Sequence, residues 1–98
     1  MELTGKQKAY LRGLAHDLHP VVLIGKEGPS EAVVRKAHLE LMAHELIKVR
    51  IGEGAEADIK TLAVDLATRT QSAVAQRIGH VLVLYRRRNK SPTIILPK

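Results

Sequence analysis

A chain of 98 residues has room for one domain and not for a catalytic unit beside a recognition unit, since domains usually take about 100–200 residues. Apolar residues make up 45% of it, yet Phe and Trp are absent and Tyr10 and Tyr85 are the only aromatics, so the core must be aliphatic. The absence of cysteine excludes disulfide scaffolds, thiolate nucleophiles and cysteine-based zinc sites, and a net charge of +6 turns attention to polyanionic partners.

Thr4-Gly-Lys-Gln7 has the capping-box form, and Leu11, Leu14, Ala15 and Leu18 follow at one-stripe spacing, which predicts a first helix ending at His19-Pro20. Val21–Ile24 reads as a short strand buried on both faces. Gly25–Pro29 is a loop, and Ser30 is a good N-cap for a second helix lined by Val33, Val34, Ala37 and Leu41. Leu39 falls off that stripe. Ile47–Ile51 alternates strictly, so it predicts a half-buried strand ending at Gly52-Glu-Gly54. Ile59, Leu62, Ala63 and Leu66 mark a third helix, with Glu56 and Asp58 near its positive end.

A weaker strand at Ala73–Ile78 turns at Gly79-His80 into Val81–Tyr85, which is apolar on both faces and therefore central. Thr93–Leu96 can add an edge strand. The expected fold is α/β, of the α+β two-layer sandwich kind, in the order αβαβαββ within a single domain 1–98. Its small mixed sheet carries helices on one face, so that Lys48 and Arg50 point to water from the other.

Charge follows the same order. Residues 1–45 hold six basic and six acidic side chains, whereas residues 46–98 hold ten and four. No carboxylate side chain follows Asp65, while Arg86, Arg87, Arg88 and Lys90 extend a basic end. No signal-peptide pattern opens the chain and no apolar run approaches the ~20 residues that cross a bilayer. A soluble, cytoplasmic protein without a membrane partner is expected.

The sharpest local signal is Gly25-Lys26-Glu27-Gly28, between a strand and a helix start. Two glycines permit close backbone approach, the helix start offers unpaired N–H groups, and Lys26 adds a cation. This is the G-x-x-G form with which KH domains clamp a nucleic-acid backbone. It lacks the G-K-[ST] ending of a Walker A loop and the three spaced glycines of a dinucleotide site. An ordinary strand-to-helix turn has the same pattern; its place in a basic domain favours phosphate binding.

Three segments here resemble the CRM domain, the RNA-binding module of bacterial YhbY-type proteins and plant organelle splicing factors. They are Lys8–Gly28 (KAYLRGLAHDLHPVVLIGKEG), His44–Arg50 (HELIKVR) and Gln76–Arg86 (QRIGHVLVLYR). The resemblance implies a fold similar to the C-terminal domain of bacterial translation initiation factor three. It also implies binding of structured RNA on precursors of the large ribosomal subunit. Two departures stand out: Pro29-Ser30 follows the loop where the family has Leu-Thr, and Thr70-Gln71 stands for Thr-Gly.

Other constellations carry less. His16, His19, His38, His44 and His80 lack the spacing of zinc ligands, Glu40 and Glu45 read as helical surface charge, and no serine sits in a nucleophile elbow. A non-enzyme without cofactor, metal or small-molecule substrate is expected. Without aromatics to stack on bases, RNA binding should rest on phosphate and shape. The expected contacts are the loop Gly25, Lys26, Glu27 and Gly28; Lys8 and Arg12 beside it, if the first helix packs near; the sheet residues Lys48 and Arg50; and the run Arg86, Arg87, Arg88. A duplex-DNA-coating protein and a module for an acidic protein partner are the competing readings.

Overall fold

The computed structural model describes residues 2–53 and 58–98; Gly54 and Glu56, both named above, lie outside the described residues. The first helix, α1 (Gly5–Ala15), starts as its capping box predicts. The Thr4 hydroxyl accepts from the Gln7 N–H at 3.1 Å, and the Gln7 side chain accepts from the Thr4 N–H at 3.0 Å. It ends a turn early, so Leu18 lies outside it, and of the predicted stripe only Leu11 and Ala15 are buried.

The remaining elements are β1 (Pro20–Ile24), α2 (Glu31–His44), β2 (Leu46–Ile51), α3 (Ile59–Thr70), β3 (Ala73–Ile78) and β4 (Val81–Tyr85), which is the expected αβαβαββ order. Ser30 caps α2 through a 3.3 Å bond from the Val33 N–H, and Asp58 caps α3. The sheet is mixed, in the order β1-β2-β4-β3, with β1 and β2 parallel and the other pairs antiparallel. Both crossovers, through α2 and through α3, step in the same direction across the sheet. With one handedness they must then lie on one face. They do: Ala37 and Leu41 of α2 and Leu62 and Leu66 of α3 share a core with Val22, Ile24, Ile47, Val49, Ile51, Leu82 and Leu84.

Three expectations are corrected. The helices do not all cover one face, because α1 packs on the other, where Leu11 and Ala15 meet Leu46, Ala75, Val83 and Tyr85. A helix ahead of the first strand belongs to no crossover, so nothing in handedness fixes its side. β1 is not buried on both faces; it is an edge strand with Leu23 60% exposed and Pro20 at its start, where a missing N–H is harmless. Thr93–Leu96 forms no strand, although Ile94 and Leu96 still pack onto the α1 core.

That tail is held by a residue expected to be surface charge. Glu45 caps α2 with a positive φ (64°), and its side chain is fully buried. Its carboxylate accepts hydrogen bonds from the N–H groups of Arg88 (2.8 Å), Thr93 (2.7 Å) and Ile94 (3.0 Å) and from the Thr93 hydroxyl (2.8 Å). Burial alone would raise its pKa; these four donors outweigh burial and bring it down to about 2.

Candidate nucleic-acid interface

β1 delivers the buried Ile24 directly into Gly25, and the loop closes on itself through a Gly28 N–H bond to the Gly25 carbonyl at 3.0 Å. Gly28 has φ +82°, the left-handed region where a side chain is strained. Gly25 carries no such strain, and a Cβ there would meet nothing within 4 Å. The Ser30 N–H is also engaged, at 2.9 Å from the Gly28 carbonyl. Among the described residues the N–H groups of Lys26 and Glu27 have no backbone partner, and those of Glu31 and Ala32 open the first helical turn without intrahelical acceptors. Lys26 and Glu27 are exposed. The loop therefore presents main-chain donors and one mobile ammonium at the positive end of a 14-residue helix.

A brace from α3 fixes the loop exit. The Arg69 guanidinium donates to the Pro29 carbonyl at 2.6 Å and lies 3.7 Å from Asp65, one turn earlier. Neither the Asp65–Arg69 pair nor its reach to the loop had been expected. The neighbouring strands end at the same place. The Gly52 N–H donates to the Ile24 carbonyl at 2.9 Å, and the Ile51 N–H donates to the His80 carbonyl at 2.7 Å, so the β3–β4 turn sits at the loop end of the sheet.

Cations gather along the adjoining edge. Arg50 is exposed and lies opposite Leu23 of β1, and Lys36 of α2 reaches the same depression beside Gly52. Lys36 had not been expected; its exposure on α2 was legible, but its meeting with Arg50 around an edge strand was not. Lys48 is half-buried on the α1 side, its ammonium donating to the His16 carbonyl at 3.3 Å.

The other expected contacts lie apart. Lys8 and Arg12 are exposed on α1, which packs against β2, β3 and β4 on the opposite face from α2 and α3, so they do not flank the loop. The arginine run follows β4 at the far end of the sheet. Arg86 donates to the Thr70 carbonyl (2.7 Å) and to the His38 carbonyl (3.2 Å), with the His38 ring 2.9 Å away, and burial lowers its pKa. Arg88 donates to the Ala43 carbonyl (3.0 Å) and to the Ser91 carbonyl (2.9 Å). These two arginines tie down the ends of α2 and α3, and only Arg87 is exposed.

Residues 3–86 match the CRS1 / YhbY (CRM) domain family. The chain belongs to that family. It is 47% identical over 85 residues to a Haemophilus influenzae protein named "RNA-binding protein", covering 86% of this chain and 85% of that one. It is 38% identical over 95 residues to the Bacillus subtilis "Probable RNA-binding protein YqeI", covering 97% and 99%. The solution structure of the hypothetical protein SAV1595 from Staphylococcus aureus superposes with a TM-score of 0.82 at 39% identity, covering 98% of this CRM chain and all of that one. The expected small α/β fold and CRM membership both stand.

Proposed function

We propose that this CRM protein is a non-catalytic, cytoplasmic RNA-binding factor that acts on precursor RNA of the large ribosomal subunit. It grips backbone phosphates with the Gly25–Gly28 loop and the cations beside it. The observation that carries this reading is the loop itself. Unpaired main-chain N–H groups, the exposed Lys26 and the start of α2 converge at one end of the sheet, next to Lys36 and Arg50. An anion is what such a set of donors holds, and two or more cations along one edge suit a polyanion rather than a single phosphate. The CRM relatives named for RNA binding support RNA as that polyanion.

Sedimentation of cell extract tests the assembly role. The protein should comigrate with precursor large-subunit particles and leave them on ribonuclease treatment. Migration with mature subunits only, or migration unaffected by ribonuclease, would remove the assembly reading. Displacement of bound RNA by duplex DNA at equal salt and equal concentration would instead favour a DNA-coating role.

A further inference from the structure

We propose that the groove between α1 and the uncovered end of the sheet is a second RNA site, one that takes a single unpaired nucleotide. This rests on the RNA-binding reading and deepens it. The groove encloses about 720 Å³, inside the ~300–1,000 Å³ typical of small-ligand sites. It exists because α1 covers only the part of the sheet over Leu46, Ala75, Val83 and Tyr85. Beyond that, Ile78 and Val81 face each other across the β3–β4 pair as an aliphatic floor, and Ile78 is 63% exposed.

Gly13 supplies the independent observation. It lies inside α1, where glycine is the poorest helix former after proline, and it lines the groove. A Cβ there would meet nothing within 4 Å, so the packing of this chain does not call for glycine. Its effect is to lower the groove wall.

The polar lining names the occupant. Arg12 and Lys48 stand on the groove wall, the latter held against the end of α1 with N–H groups to spare. Asp17 and Gln76 line it too. A bare phosphate would be repelled by Asp17, whereas a nucleobase brings N–H groups for that carboxylate and for the Gln76 amide. His16 lines the groove as well; of the rest, one nucleotide would place ring faces on Ile78 and Val81, base edge on Asp17 and Gln76, and phosphate on Arg12 and Lys48. The rows of the sheet join this groove to the cation edge, since Leu23, Arg50, Val81 and Ile78 are successive cross-strand partners. An RNA strand held by the loop can thus continue over Arg50 and place a base in the groove.

Two RNAs of equal length test this, a hairpin with an unpaired loop and a fully paired duplex, each measured by fluorescence anisotropy. Gly13→Met should block the groove from α1, and Ile78→Ser should remove its floor from β3 without changing charge. Both variants should melt within a few degrees of the parent, bind the hairpin roughly tenfold more weakly, and bind the duplex within about twofold of the parent. Lys26→Ala should weaken both RNAs. Parental hairpin binding by the two groove variants, or equal losses on hairpin and duplex, would overturn the groove site and leave the loop reading standing. If the parent protein binds neither RNA, the RNA reading falls and the groove site with it.

Discussion

Gly25 and Gly28 bracket one loop for different physical reasons, and substitutions should separate them. At Gly28 the backbone is left-handed, so Gly28→Asp should cost about 1–2 kcal/mol of stability as well as RNA affinity. At Gly25 there is neither strain nor a neighbour within 4 Å, so Gly25→Asp should melt like the parent while binding RNA roughly tenfold more weakly, through bulk and negative charge alone. Melting curves beside binding isotherms read both effects, and parental affinity in Gly25→Asp would reduce the loop to a turn. Glu45 is the other residue whose role is set by its neighbours. Its pKa is depressed from 4.5 to about 2, so the carboxylate stabilises the fold fully above about pH 4.5, and that contribution fades as pH falls toward 2. The Thr93 and Ile94 amide resonances should therefore shift with an acid midpoint near pH 2; a midpoint near 4.5 would show that the tail does not hold the charge. Glu45→Ala strands four donors and should cost about 1–3 kcal/mol at neutral pH.

At the scale of elements, helix starts were legible because their signals are local: Thr4, Ser30 and Asp58 each cap within three residues. The alternation of Ile47–Ile51 also gave the right face, since Ile47, Val49 and Ile51 are the buried set. What stayed hidden depends on partners far along the chain. Glu45 bonds Arg88, Thr93 and Ile94, 43 to 49 residues away, and Arg69 reaches Pro29 over 40. No periodicity encodes such contacts. β1 read as buried on both faces because its run is apolar, but strand order is set by the crossovers, which left it at an edge. The arginine run shows the same limit most clearly. Three adjacent charges look alike in sequence, yet Arg86 and Arg88 secure helix ends while Arg87 faces solvent. Arg86→Ala should thus lower stability by about 1–3 kcal/mol, roughly 4–8 °C per kcal/mol for a domain this size, with RNA affinity of the folded protein close to parental. Arg87→Ala should leave melting untouched. Equal melting of the two variants would return Arg86 to the surface.

For the whole molecule, the net charge of +6 acts less as a total than as a distribution. Two groups of its cations lie at opposite ends of the sheet, while others, such as Lys8 on α1 and Lys60 on α3, stand on the helices. Lys26, Lys36 and Arg50 lie by the loop, with Lys48 and Arg12 continuing along the α1 side; Arg87 and Lys90 lie by the tail. A footprint of about five cations releases about five counterions from RNA. The logarithm of the binding constant should then fall against the logarithm of salt with a slope of roughly −3.5 to −4.5, spanning single-stranded and duplex behaviour. The distribution makes a sharper demand than the slope itself. Removing a loop-side cation, as in Arg50→Ala or Lys26→Ala, should flatten the slope by about 0.7–0.9, whereas Lys90→Ala should leave it unchanged. Titrations between about 50 and 200 mM salt resolve that difference. A slope near zero would remove a polyanion from the reading altogether. A slope that responds equally to both ends would mean that RNA wraps the molecule, with the basic tail as much a part of the contact as the loop.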